Sequence, residues 1–226
     1  MNPQETLSQL DQLIHSRSIL CHPFYVAWQR GELTRDQLAT YAEVYYPHVA
    51  SFPGYLKAAI ESADDDGVRQ ELERNLADEI ANPKPHPELW LDFAAGLGLD
   101  PANIASGAAR PAAIQMVNTF DRLAQSDSAA ALAALYAYES QQPEVSQQKI
   151  EGLRLRYGVD SLDALAYFEV HAEADIQHRD GERQALLRCL ENGASAQIVL
   201  ESAEQVLDAY WGLLDGICEE AGITTG

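Results

Sequence analysis

The 226-residue chain is 46% hydrophobic, which argues against disorder and provides enough apolar residues for one large core. A net charge of −20 leaves no basic stripe to neutralise phosphates, so nucleic acid and anionic membrane surfaces are not expected partners. No apolar run reaches transmembrane length, and the polar, amphipathic stretch from Met1 to Leu13 does not read as a targeting signal.

The three cysteines, Cys21, Cys189 and Cys218, are odd in number, widely spaced and form no Cys-x-x-Cys pair. Neither a disulfide framework nor a thiolate metal site is indicated, and a reducing cytoplasm is the expected setting. Strand signals are nearly absent. Long Ala/Leu/Glu/Gln runs separated by Pro and Gly predict an all-α fold, a compact bundle of about seven to nine helices forming one domain over residues 1–226.

In chain order, Thr6 to Ser18 is an amphipathic helix with Leu7, Leu10, Leu13 and Ile14 as its apolar stripe. His22-Pro23-Phe24-Tyr25 opens a short helix that Gly31 ends. Thr34 caps a long helix from Arg35 to about Ala50, and Ser51-Phe52-Pro53-Gly54 is expected to kink or break it before a further turn or two through Ile60. Asp64-Asp65-Asp66 starts a helix that runs through Leu72 and Leu76 to Glu79 and Ile80.

The residues before the prolines of Asn82-Pro83-Lys84-Pro85-His86-Pro87 are pushed to extended geometry, which places His86 on a stiff connector. Leu89 to Ala95 is a helix ended by Gly96. Ala113–Leu123, Ala129–Gln142 and Pro143–Arg156 follow, with Pro143 kinking or separating the last two. Ser161 caps the next helix, and Ala194 to Glu220 closes the chain.

The helix after Ser161 carries Val170-His171-Ala172-Glu173-Ala174-Asp175-Ile176-Gln177-His178. At about 100° per residue, His171, Asp175 and His178 fall within roughly 60° of one another, so two imidazoles and a carboxylate share one stripe. This stripe is either a solvated polar face or, if buried, a set that needs partners or a metal. Three more candidates join it: Glu79 at the end of an apolar helix, His86 between prolines, and Glu139 among apolar and aromatic neighbours. Three carboxylates and three histidines on a helix bundle suit a di-iron or di-manganese centre with positions open to oxygen. Taken singly, Glu79 reads as an exposed helix-end acid, His86 as a turn residue and Glu139 as a salt-bridged structural acid. His15, His22 and His48 read as surface or core residues.

The spacing Asp78-Glu79-x6-His86, then Tyr138-Glu139-Ser140-Gln141-Gln142-Pro143-Glu144-Val145, then Tyr167-Phe168-x2-His171-x3-Asp175-x2-His178 resembles the haem-oxygenase-like di-metal oxidases. Within them it is most similar to the branch typified by the Chlamydia protein associating with death domains, over nearly the whole chain. The resemblance implies a haem-oxygenase-like bundle without haem that holds two metals, iron or manganese. It also implies oxygen-dependent synthesis of 4-aminobenzoate for folate, with a tyrosine of the protein as ring source and a lysine as amino donor. Tyr25 and Lys149 match those two positions. Tyr41 matches a tyrosine near the metals whose role is electron relay or packing, as for Tyr138 and Tyr167.

Read from the sequence alone, Tyr25 is equally a core aromatic, and Lys149, one of three lysines, a solvated cation beside rather than on the ligand face. Molecular oxygen and a reductant are the implied small partners. The alanine-rich run Ala129 to Ala134 is a candidate surface for a homodimer. Rival readings are a cofactorless oxidase like the pyrroloquinoline-quinone synthase, a thiaminase-II-like enzyme with a catalytic cysteine, and a non-enzymatic partner for another protein.

Overall fold

The computed structural model describes residues 2–81 and 84–224. Eleven α-helices are present among them: α1 (Pro3–Ser16), α2 (Pro23–Arg30), α3 (Arg35–Ser62), α4 (Asp66–Ala81), α5 (His86–Gly96), α6 (Pro101–Ser106), α7 (Pro111–Ala124), α8 (Ser128–Glu139), α9 (Gln142–Arg156), α10 (Leu162–Glu191) and α11 (Ala196–Ala221). Nine of them have eleven residues or more, in keeping with the all-α bundle read from the sequence. A single 3-10 turn, Ile19–Cys21, leads into α2.

Local chemistry sets most boundaries. Asn2 and Glu5 form a capping box on α1, and Thr34 and Gln37 form another on α3, each satisfying N–H groups that the first turn leaves free. The short α6 went unrecognised in the sequence although its start is signalled, with Asp100 accepting from the Ala102 N–H and Pro101 in the first turn.

α3 corrects an expectation. It runs unbroken for 28 residues with Pro47 and Pro53 inside it, so of the kink or break expected at Ser51-Phe52-Pro53-Gly54 the break does not occur. Each proline removes one intrahelical hydrogen bond. Against that loss stands a buried stripe of Tyr41, Tyr45, His48, Phe52 and Tyr55 at alternating spacings of four and three. Tertiary burial of five rings outweighs two missing donors.

His86 provides a second correction. Part of the expected connector, Asn82 and Pro83, lies outside the described residues. From Lys84 onward the chain turns at once into α5, of which His86 is the first residue and is 1% exposed. Pro87 is harmless in a first turn. The boundary between α8 and α9 falls at Ser140-Gln141 rather than at Pro143, because the Gln141 amide donates to the Ala137 carbonyl at 3.1 Å and its oxygen accepts from the Ile19 N–H at 3.0 Å.

α8 and α10 occupy the centre. α8 packs against α7, α10 and α11 and is buried on all sides from Ala129 to Glu139. Ala129 to Ala134 therefore form core and cannot supply the surface for a second copy that the sequence suggested. Their small side chains let α8 be enclosed by neighbours. α10 packs against α1, α4, α5, α8 and α9, so its inward stripe faces α4, α5 and α8 at once.

Close approach of α5 to α10 depends on Gly96. A methyl group there would lie 2.5 Å from the Ala164 Cβ. Gly96→Ala is therefore expected to push the two helices apart and to lower stability by about 1–3 kcal/mol. Gly54→Ala, in open space on the exposed side of α3, is expected to raise stability by about 0.5–1 kcal/mol. Thermal unfolding of the two variants by circular dichroism checks both signs.

Candidate metal centre

All six sequence-predicted ligand residues meet in one buried region. α4 contributes Glu79 from its last turn and α5 contributes His86 from its first. α8 contributes Glu139 as its final residue, and α10 contributes His171, Asp175 and His178 from one stripe. Their exposures run from 1% to 6%. They sort into two triads, Glu79–His86–His171 and Glu139–Asp175–His178, each with its candidate ligand atoms within 4.8 Å of one another.

Hydrogen bonds outside the triads orient the rings. The His171 Nδ1 donates to the Tyr167 carbonyl at 2.6 Å, which leaves Nε2 facing Glu79 Oε1 at 3.7 Å. The His178 Nε2 donates to Asp78 Oδ2 at 3.0 Å, which leaves Nδ1 facing Asp175 Oδ1 at 3.3 Å and Glu139 Oε1 at 3.8 Å. A ring whose outer nitrogen is held by a carboxylate or carbonyl and whose inner nitrogen is bare is the arrangement that metal-ligating histidines adopt.

The inner atoms lack partners. Both Asp175 oxygens, both His86 nitrogens and the His178 Nδ1 are buried without a hydrogen bond. His86 Nδ1 lies 2.9 Å from Glu79 Oε1, yet the ring N–H direction misses that oxygen. Donor atoms this close that do not bond to each other are aimed at a common third point. Buried polar atoms left so are costly. A cation placed among each triad would satisfy them, so these residues fit a metal pair, with one nitrogen-rich site and one oxygen-rich site.

Burial pushes the Glu79 carboxyl up, but His171 and His86 outweigh it and hold the group down to about 2. Burial lowers the two α10 histidines, and neighbouring carboxylates more than reverse this. Asp175 and Glu79 raise His171 to about 9, and Asp175, Glu139 and Asp78 raise His178 to about 10. Without a metal, these imidazoles carry protons at neutral pH that a metal would displace.

Two neighbours of the site escaped the sequence reading. The Asn75 amide donates to Glu139 Oε1 and Oε2 at 3.1 and 2.9 Å, and to Glu182 Oε1 at 3.4 Å. Glu182 is 1% exposed, and burial, reinforced by the charge of Glu139, pushes its carboxyl well above the usual range. The available signal was spacing: Asn75 lies four residues before Glu79, and Glu182 lies four after His178. Of the other histidines, His15 is exposed and the remaining two are structural. His22 caps α2 and faces Asp215, and His48 sits in the aromatic wall, where burial holds it down to about 3.

Lys149 is 1% exposed, which corrects its reading as a solvated cation. Its Nζ lies 5.2–5.5 Å from the ring centres of Tyr25, Tyr41, Tyr45 and Phe168. Burial pulls the ammonium down to about 7. Tyr25 and Tyr41 are fully buried, and their hydroxyls lie near each other and near Tyr210 without an aligned hydrogen bond. This chamber connects to the triads along two lines. The Tyr45 and Tyr138 hydroxyls meet at 2.9 Å, and Trp90 is 5.0 Å from Tyr45 and 4.8 Å from Tyr167 between ring centres.

Space beside the triads is small. A cleft of about 10 Å³, lined by Val49, Phe52, Tyr138 and Tyr167 with Glu79, Glu139 and His171, has room for one water-sized molecule. A larger cavity of about 400 Å³, lined by Asp11, His15, Tyr136 and Arg183 among others, includes none of the six ligand residues. The free cysteines lie apart: Cys21 is exposed, Cys218 lies in the core, and neither they nor Cys189 join either triad.

Comparison with known proteins agrees with this geometry. Residues 39–211 match the family described as iron-containing redox enzyme. The chain is 40% identical to the 4-aminobenzoate synthase of Nitrosomonas europaea, over 93% of this chain and 90% of that one. It is 39% identical to the 4-aminobenzoate synthase of Chlamydia trachomatis, over 94% and 92%. Its fold is also that of a TenA homolog from Pseudomonas syringae, with a TM-score of 0.79 at 17% identity, over 96% of this chain and 92% of that one. A bundle that carries two buried His/carboxylate triads and shares this much sequence with those relatives belongs to the iron-containing redox enzyme family.

Proposed function

We propose that the protein is an oxygen-dependent dinuclear iron oxidase that makes 4-aminobenzoate from its own Tyr25, with Lys149 giving the amino group. The carrying observation is the sealed chamber in which the Lys149 amine lies 5.4 Å from the Tyr25 ring centre. The names of the relatives at about 40% identity support the product. The small cleft supports an internal ring source, since it has room for a diatomic gas but not for a free aromatic acid.

Glu79, His86 and His171 would hold one metal, and Glu139, Asp175 and His178 the other. Iron there, or manganese in one position, supplies when bound the redox capacity that couples dioxygen and a reductant to oxidation of a phenol. The residues do the rest. Burial keeps the Tyr25 phenol protonated, so its oxidation requires proton loss with electron loss. Burial lowers the Lys149 ammonium to about 7, so the neutral amine is accessible near neutral pH and can offer a lone pair to a ring carbon. Tyr41, with its ring 5.4 Å from the same nitrogen and 5.3 Å from the Tyr45 ring, would serve as an electron relay to Tyr25. Proximity of this kind supplies roughly 7–11 kcal/mol in the best intramolecular cases. A sacrificed side chain limits turnover to about one product per chain.

This reading sets the rivals aside on specific grounds. A cofactorless oxidase leaves the unpartnered atoms of both triads unexplained, and a thiaminase-like enzyme needs a nucleophilic cysteine at the site.

Metal content tests the centre. Glu139→Ala, His171→Ala and Asp175→Ala are each expected to lower iron below two per chain, and His15→Ala to leave it unchanged. Full content in all three would refute the ligand set. The sign of the pH dependence follows from His171 and His178. Both hold protons at neutral pH and must lose them to ligate, so affinity rises with pH, by about tenfold per unit for each proton displaced, up to about pH 9–10. Calorimetric titration of cobalt(II) in buffers of different ionisation enthalpy measures the release.

Product formation tests the chemistry. Tyr25→Phe is expected to keep its iron and make no 4-aminobenzoate. Lys149→Arg is expected to keep a charge but lose the donor, since guanidinium stays protonated. Tyrosine-labelled protein should release labelled product. Sustained turnover of an added small molecule by Tyr25→Phe would show an ordinary oxygenase instead.

A further inference from the structure

Gly181 sits in the interior of the 30-residue α10, where glycine weakens a helix by about 0.5–1 kcal/mol relative to alanine. The three atoms nearest to a Cβ at this position would all belong to the carboxylate of Glu71, with Oε1 at 1.8 Å and Cδ at 2.2 Å. The missing side chain is thus a notch that receives an acid from α4. Glu71 is 8% exposed, and its outer side pairs with the exposed Arg74.

The notch continues a facing pair of stripes. On α4, Glu71, Asn75 and Glu79 follow one another at intervals of four. On α10, Asp175, His178 and Glu182 face them. Glu182 Oε2 and Asn75 Oδ1 are both buried without a hydrogen bond, in side chains 1% exposed. Oxygen donors therefore run from the surface at Arg74, past Gly181 and Glu182, to the Glu139 carboxylate that shares the Asn75 amide with Glu182. The six ligand residues do not account for this run, and an apolar packing of the two helices would be more stable than a row of buried acids.

We propose that Glu71 and Glu182, with Asn75 Oδ1 between them, form the route by which a divalent cation such as ferrous iron reaches the Glu139–Asp175–His178 site. Arg74 holds Glu71 in the notch until a cation replaces it as partner. Glu182 then takes the cation from Glu71 and passes it inward. The proposal rests on the metal-centre reading above.

Gly181→Ala, Glu71→Gln and Glu182→Gln leave all six ligand residues intact, and the atoms nearest to a Cβ at Gly181 are the end of a flexible side chain. Each variant, with helix content checked by circular dichroism, is mixed with ferrous iron under argon. Unbound iron is followed by chelator absorbance, and bound iron is counted after long incubation. The expected result is two irons per chain at the end, reached more slowly than in the unaltered protein by about tenfold or more, the scale of an acid-lined path on association. Uptake at the unaltered rate in all three would overturn the route and leave the metal centre standing. A final content of one iron in Glu182→Gln, filled at the normal rate, would also overturn it and make Glu182 a resident ligand. Absence of iron binding by the unaltered protein would overturn the metal centre and the route together.

Discussion

The structure depends on the presence of several lone-pair donors buried together without protons enough to join them. Glu79, Glu139, Asp175 and Glu182 are at most 3% exposed, beside three imidazoles at most 6% exposed. In a hydrocarbon-like interior such a group resists burial unless something positive is shared among its members. The protons on His171 and His178 serve that purpose in part, which is why both are raised despite burial. The bare atoms of Asp175 and His86 show that protons alone do not complete the arrangement. Two cations would.

The surrounding helices are arranged to hold that cluster still. α3 forms an aromatic wall, with Tyr45 stacked on Trp90 and Tyr55 stacked on Phe120. α8, enclosed on every side by alanine contacts, fixes Glu139 at its C-terminus next to the break that Gln141 enforces. Asp78, Asn75 and the Tyr167 carbonyl then set the rotation of individual ligand groups. Stability and chemistry thus depend on the same close packing, since a bundle this dense permits few alternative side-chain positions.

Lys149 obeys the opposite rule. It is buried among rings, with burial alone acting on its charge, so it becomes a weaker base instead of half of an ion pair. The bundle therefore separates two electrostatic environments, an anionic one suited to cations and an aromatic one that makes an amine less basic. Tyr45–Tyr138 and Trp90 are the contacts between them. The proposed oxidation of the protein's own ring would need both, one to hold metals and the other to keep the amine nucleophilic.

Periodicity and spacing in the sequence determined the all-helical class, nearly all helix positions and the shared stripe of His171, Asp175 and His178, because an i, i+4, i+7 set faces one way in any helix, whereas Glu79, His86 and Glu139 on other helices were candidates that only packing brought to that stripe. They did not reveal the continuity of α3, because local rules count the lost hydrogen bonds of Pro47 and Pro53 but not the ring contacts made with α5, α7 and α8. They left Lys149 on the surface and the alanines of α8 at an interface. Burial is a property of what neighbouring helices cover, and no spacing within one helix encodes it. The partition of the ligands into two triads, the pairing of Asn75 with two acids from different helices, and the use of Gly181 as a receptacle for Glu71 were decided only by tertiary structure. Each depends on the distance between residues on different helices, which packing sets and local sequence does not.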